Sequence, residues 1–385
     1  MKELSSASKN LTGQPMFEFL SEIKEAERKG KRVIHFEIGD PSFDTPKEIT
    51  RAAKESLERG ETHYTDSMGI RDLREEIAKH VASKLGYRPE LEQVLVKPAN
   101  AIVDFVVRCI ADPGDEVIYP DPGFPTYHSV VKYAGMKGVP ISLKEKHELR
   151  MDPEDVQRNI TEKTKLIIVN SPSNPTGAMM TEEESKRFAD IAREHGTYLL
   201  SDETYAELVY DKIHYSPSVY DECGEYTITL NSFSKAYDMS GWRLGYAIGP
   251  KEVIKKMGLM LQTIVSCLPE FIQRGGIAAL RLDENHLMSK MKELRKRRKA
   301  ITEGLNSIRG VRCLEPEGAF YVFPNVEGTG KTSKEFARIM FEEAGVAVLP
   351  GSDFGAGGEG FARLSFVSRT EDQIKEAIQA MKRVV

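Results

Sequence analysis

The stretch KLIIVNSPSNPTG (165–177) sets four consecutive apolar residues, Leu166 to Val169, against a turn rich in Asn, Pro and Ser. A strand with one wet face alternates apolar and polar residues, whereas a continuous apolar run suits a strand covered on both faces. Five other short runs repeat the pattern: VLV (94–96), EVIYP (116–120), TYLLSDE (197–203), YTITL (226–230) and LGYAIG (244–249). Helical stretches separate most of them. This alternation predicts an α/β layer with a largely parallel sheet, in which ligands collect at the carboxyl ends of the strands.

On the N-terminal side, a helical opening (17–28) leads to an extended segment, RVIHFEIGDPSFDTP (32–46). Gly39, Asp40, Pro41 and Pro46 stop it in a loop. A helix starts from Lys47, and GIRDLREEIAKHVASKLG (69–86) spaces Ile70, Leu73, Ile77 and Val81 for an amphipathic helix that ends at Gly86. Past about residue 285 a long helix runs into EGAFYVFP (317–324) and FARLSFV (361–367), an α+β pattern unlike the sheet before it. Two domains are therefore expected. The larger spans residues 46–285; the smaller is formed by residues 1–45 together with 286–385, in line with roughly 150 residues per domain as a prior.

Composition narrows the class. With 40% hydrophobic and 29% charged residues the 385-residue chain reads as a soluble globular protein, and a net charge of −5 leaves no footprint for nucleic acid. The basic run KELRKRRK (292–299) lies in a helical pattern with Met291, Leu294, Ile301 and Leu305 apolar, and reads as a solvated helix face. Cys109, Cys223, Cys267 and Cys313 show no paired spacing, which suits reduced thiols and a cytoplasmic protein. MKELSSASKN (1–10) lacks an apolar core for a signal peptide, and no run is long enough to cross a membrane. Eight scattered histidines give no metal-ligand spacing.

Unusual polar residues gather where four of the expected strands end. Asn170 to Gly177 follow one; Asp202 and Tyr205 follow the next. Ser232, Ser234 and Lys235 follow a third, and PDPGFPTY (120–127) follows a fourth. A single case would be an ordinary turn. Four at one rim suggest a site. A primary amine forms Schiff bases with aldehydes when its pKa is lowered. Arg243 and the serine hydroxyls suit a phosphate dianion, and a buried Asp202 needs a cation such as a protonated pyridine nitrogen. Aldehyde, phosphate and pyridinium together describe pyridoxal 5′-phosphate.

SFSKAYDMSGWRLG (232–245) resembles the lysine motif of the class I/II aminotransferases, which have fold type I of the aspartate-aminotransferase superfamily. GDPSFDTP, HYTDSMGIRDLR, DPGDEVIYPDPGFPTY, SPSNPTG, SDETY, PEGAFY and RLSF follow in that family's order. The resemblance runs from about residue 10 to the C-terminus. It implies a seven-stranded, mostly parallel sheet and transfer of an amino group from an L-amino acid to a 2-oxo acid by a ping-pong route.

Carried over residue by residue, it implies that Lys235 holds the cofactor as an internal aldimine and later shuttles the proton. Asp202 would pair with the pyridinium, Tyr205 and Asn174 would bond the ring hydroxyl oxygen, and Phe124 would stack on the ring. Ser232, Ser234 and Arg243 would hold the phosphate with the backbone N–H groups of Ala99 and Asn100. Tyr64 would reach the phosphate of a neighbouring subunit, implying a homodimer. Arg363 would pair with the substrate carboxylate, helped by Asn174 and the Gly39 backbone.

Taken singly, each residue has an ordinary reading: Lys235 as a surface lysine in a turn, Asp202 as a helix cap, Tyr205 as a packing residue, Arg363 as a salt-bridge partner. VKPANAIVD (96–104) departs from the family's glycine-rich phosphate turn, since Pro98 lacks an N–H and Ala99 has a Cβ. Asn100 stands where aspartate-specific relatives have a lysine, which points to a neutral, aromatic or broad donor. The fold also serves lyase and decarboxylase chemistry, and a cofactor-binding regulator is the reading from another class.

Overall fold

The computed structural model describes residues 3–11, 13 and 15–385. Its centre is a seven-stranded sheet in the spatial order Val94–Val96, Gly245–Ile248, Thr227–Ser232, Tyr198–Asp202, Thr164–Asn170, Glu116–Asp121 and Lys137–Ser142. Six strands run in one direction; Gly245–Ile248 alone of the seven is reversed, antiparallel to both of its neighbours. Asn170 pairs with Asp202, and Asp202 with Leu230, so the polar strand ends fall on one rim.

Both faces of the sheet are covered, as the unbroken apolar runs require. Leu95, Leu166, Leu200 and Ile228 pack with Ile102 and Val106 on one side. On the other, Val94, Val96 and Ile248 meet Leu73 and Ile77, while Ile167, Val169 and Leu199 meet Phe188 and Ile191. Helix Arg71–Leu85 buries Leu73, Ile77, Ala78 and Val81 and ends on Gly86 at φ 82°, a left-handed stop that glycine adopts without a Cβ penalty. Helix Glu182–His195 begins with a reciprocal cap between Thr181 and Glu184.

The C-terminal region has its own core, in which Met291, Leu294, Ile301 and Leu305 of the helix Glu284–Asn306 pack with Val322, Leu364, Phe366 and Ile374. The N-terminal segment joins this core. Ile34–His35 pairs in parallel with Val346–Ala347, and Leu349–Pro350, Ala362–Ser365 and Tyr321–Val322 form a three-stranded antiparallel sheet.

Three features differ from the sequence reading. Lys137–Ser142 is an edge strand, masked in the sequence by Gly138 and Pro140 and by its mostly solvated side chains. The extended segment from Arg32 contributes only two paired residues. The basic run of the long helix is not uniformly solvated: Arg297 is buried, donates to the Val367 carbonyl and pairs with Glu293 at 3.2 Å. A guanidinium can be taken out of water where such acceptors meet it.

Two sequence landmarks dock onto one another. Gly177, at the end of SPSNPTG, sits at φ 72°, and its carbonyl accepts from the amides of Glu317 (2.9 Å) and Gly318 (3.0 Å) in PEGAFY. A Cβ at Gly177 would stand 2.4 Å from Pro316 Cβ and 2.8 Å from the Tyr321 carbonyl oxygen. Gly177→Ala should therefore cost about 1–3 kcal/mol, the scale of overpacking, before the added strain at positive φ. Scanning calorimetry should read this as a lowered unfolding midpoint; an unchanged midpoint would show that the two segments are free to move apart.

Candidate functional site

The strand rim opens into a cavity of about 610 Å³. Volume does not single it out, since hollows of about 750 and 930 Å³ lie elsewhere on the chain. Its chemistry does. Lys235, Asp202, Tyr205, Asn174, Phe124, Ser232, Ser234, Arg243, Arg363, Gly39, Ala99 and Asn100 all line it. Tyr64 does not; it is 88% exposed on the outer surface.

Lys235 lies in the short helix Phe233–Ala236, directly after strand Thr227–Ser232. Its Nζ donates to the Gly39 carbonyl at 2.7 Å. Gly39 can approach only because it lacks a side chain: a Cβ there would stand 2.0 Å from the Tyr321 hydroxyl. Burial pulls the Lys235 ammonium down to about 8; Asp40 opposes this, and Arg363 and Arg243 reinforce it. The amine is therefore available as a nucleophile near neutral pH.

Asp202 ends its strand 6% exposed. Oδ2 accepts from the Tyr127 hydroxyl at 2.7 Å and Oδ1 from the Thr204 amide at 3.1 Å. Burial raises its carboxyl above the ordinary value, and these bonds pull the other way. Among the described residues no cation pairs with it. A buried carboxylate held only by neutral donors is a fitting partner for a protonated ring nitrogen.

Arg363, in strand Ala362–Ser365, is 1% exposed. It donates through Nη1 to Asn174 Oδ1 at 3.4 Å and through Nη2 to the Glu37 carbonyl, and it lies over the rings of Tyr321 (4.7 Å) and Phe354 (5.0 Å). Its Nε is buried without a hydrogen-bond partner. Burial lowers its pKa by more than the nearby Glu37 and Asp353 carboxylates raise it.

The side of the cavity expected to hold a phosphate is built from main chain and hydroxyls. Helix Ala99–Ile110 follows Pro98, which makes no side-chain cap, so the first amides stay available. Gly245 faces this turn, where a Cβ would stand 3.1 Å from the Ala99 nitrogen. Ser232 Oγ accepts from the Ser234 amide at 3.1 Å, and the Arg243 guanidinium, whose Nη1 donates to the Ser240 carbonyl, makes no ion pair among the described residues. A cationless carboxylate, a depressed amine and a free guanidinium beside helix amides fit the pyridine nitrogen, aldehyde and phosphate of pyridoxal 5′-phosphate.

Two wall residues had no role assigned from sequence. Tyr127 holds Asp202, and Tyr321 bonds the Tyr205 hydroxyl at 2.9 Å. Both end landmarks already quoted, PDPGFPTY and PEGAFY, but a hydroxyl's partner across the fold leaves no trace in spacing.

Residues 31–381 match the family model for aminotransferase class I and II. The chain is 39% identical to an aspartate aminotransferase of Pyrococcus horikoshii, over 95% of this chain and 93% of that one. It is 37% identical to aromatic-amino-acid aminotransferase 2 of Thermococcus litoralis, over 92% of each. Among solved structures, aspartate aminotransferase from Thermus thermophilus with maleate superposes with a TM-score of 0.95 at 34% identity, over 100% of both chains.

The depressed amine is open to direct test. In cofactor-free protein, trapping of Lys235 by an aldehyde and cyanoborohydride, read by peptide mass mapping, should rise with pH through a midpoint near about 8 and level off above it. A midpoint near the ordinary 10.5 would mean that the amine is solvated.

Proposed function

We propose a division of labour for a chain that belongs to the aminotransferase class I and II family and is a pyridoxal-phosphate-dependent transaminase. The observation that carries it is the convergence of three buried ionisable groups in one cavity: the Lys235 amine, the Asp202 carboxylate and the Arg363 guanidinium. When bound, pyridoxal phosphate supplies an aldehyde carbon for the amine and a protonated ring that draws electrons from the substrate Cα.

Lys235 Nζ would be the amine that holds the cofactor, and as a base it would move the proton at the substrate Cα. Asp202 keeps the ring nitrogen protonated, with Tyr127 fixing the orientation of the carboxylate. Tyr205 and Asn174 donate to the ring hydroxyl oxygen, and Phe124 covers a ring face. Ser232, Ser234, Arg243 and the amides of Ala99 and Asn100 hold the phosphate. Arg363 receives the substrate α-carboxylate, with Asn174 and the Gly39 backbone beside it.

The cations of the cavity, Lys235, Arg243 and Arg363, are then all engaged, and Asn100 is neutral. With Phe17, Ile38, Phe124 and Tyr321 on the walls, this favours a neutral or aromatic side chain on the donor, or a broad range of donors, over strict aspartate specificity.

Tyr64 belongs to the partner-facing surface of a homodimer. The segment next to it bonds the 267–268 turn through Thr65, and Leu259, Ile264 and Val265 are 50%, 63% and 51% exposed nearby in sequence to that turn. Residues 46–285 form the large domain; residues 1–45 and 286–385 form the small one, whose apolar core takes in Tyr205, Leu208 and Tyr210 from the large domain and otherwise stands apart from the clusters that cover the sheet. No helix among the described residues is long and apolar enough to cross a membrane, and the four cysteines are free, which suits a cytoplasmic enzyme.

Lys235→Ala should lose the lysine-linked absorbance band and reduce turnover by about 100-fold or more, the scale of a lost proton-transfer group. Arg363→Met should lower kcat/KM by about 2–5 kcal/mol, as for truncation of a buried charge pair. Steady-state kinetics over a panel of L-amino acids with 2-oxoglutarate, pyruvate and oxaloacetate gives both. Full activity in Lys235→Ala, or pyruvate or ammonia release without amino transfer, would sink the assignment. Sedimentation should find a dimer, and Tyr64→Phe should release cofactor more readily; a monomer that retains cofactor fully would count against the shared site.

A further inference from the structure

Outside the cavity, one buried ion pair reaches the segment that carries Lys235. Lys290, in helix Glu284–Asn306, is 3% exposed, and its Nζ lies 2.5 Å from Oδ2 of Asp238, itself 6% exposed. The same Nζ donates to the backbone carbonyls of Lys235 at 3.1 Å and Ala236 at 2.7 Å. An ammonium carries three protons; two reach these carbonyls, and Asp238 is an ion-pair neighbour, both of its carboxylate oxygens being buried without a hydrogen-bond partner. The two carbonyls end the short helix Phe233–Ala236, where intrahelical donors run out and a cation is favoured.

The surroundings hold Asp238 as well. It sits at φ 54°, a conformation that persists in a non-glycine residue only when neighbours over-determine it. Thr45 donates to its carbonyl at 2.5 Å, and His286 Nε2 lies 3.4 Å from its carboxylate. The Phe43 ring packs 5.6 Å from Lys290 Nζ and 5.3 Å from the Arg297 guanidinium. Burial pushes the Asp238 carboxyl up to about 6 and pulls the Lys290 ammonium down, the expected response to desolvation of both charges.

A buried ion pair gains little net stability over an apolar pair of similar volume. What sets this one apart is where the remaining protons go: to the main chain of Lys235 itself. Lys290 also neighbours Met291 and Leu294, which pack in the same core as Leu364, the residue after Arg363. One side chain thus links the core that carries Arg363 to the peptide unit that follows Lys235.

We propose that Lys290 is a positioning residue for Lys235: locked by Asp238, its ammonium fixes the peptide unit from which the catalytic amine extends and ties it to the core that carries Arg363. The inference rests on Lys235 being the cofactor-bearing amine.

Three holoenzyme variants test it: Lys290→Met, Asp238→Asn and the double variant. Each is read by visible circular dichroism of the bound cofactor, by kcat and KM, and by the thermal midpoint. The double variant, which removes both charges together, should keep cofactor and a near-native midpoint. It should weaken the dichroic band and lose about tenfold or more in kcat, as for a catalytic group displaced by a fraction of an ångström, while KM for the amino acid changes little.

Asp238→Asn, the milder change, should lose part of both the band and kcat. Wild-type band and kcat in the double variant, or in Asp238→Asn should the double not fold, overturn the inference. Lys235→Ala in parallel separates the two failures. If borohydride still fixes cofactor to that variant at another lysine, the premise is gone. If Lys235→Ala loses the linkage while the Lys290 variants behave as wild type, only the positioning role falls.

Discussion

The site depends on a carboxylate taken out of water without a counter-charge. Asp202 is held in place by a phenol and an amide rather than by a cation, so the fold leaves its charge uncompensated at the rim of the sheet. Such a group is tolerated because the strand end, the Tyr127 side chain and the Thr204 backbone fix it before any ligand arrives. Preorganised dipoles and charges of this kind act without reorganising during the reaction.

The other charges of the cavity follow the same logic with opposite sign. Lys235 and Arg363 share the cavity, are both depressed by burial, and each prefers the other absent. Arg363 bonds carbonyl oxygens and lies over ring faces, which orient a guanidinium without neutralising it. Holding both cations out of water costs free energy, and on the proposed reading an anionic, amine-bearing substrate offsets part of that cost.

Much of this was legible in the sequence because the sheet is buried on both faces. Runs such as KLIIVN and YTITL could hardly belong elsewhere, and the residues that follow them inherit a place at the rim. The edge strand Lys137–Ser142 escaped for the converse reason, since one neighbour and much solvent leave little pattern. Arg297 was read as solvated because a residue in a basic run resembles its neighbours until the chain 70 residues on supplies its acceptor. Tyr127, Tyr321 and Lys290 act through contacts between distant segments, and such pairings are written in three dimensions only.

Pro98 gives the phosphate side of the cavity a property of its own. Where a glycine would let the turn before helix Ala99–Ile110 sample many conformations, the proline ring fixes φ at −53° in the structure, close to its intrinsic preference. The turn surrenders conformational entropy during folding, so in its proposed role as a phosphate cradle less binding energy would be spent on ordering the loop. In kinetic language, the gain falls chiefly on residence time: a stiff cradle lets go slowly.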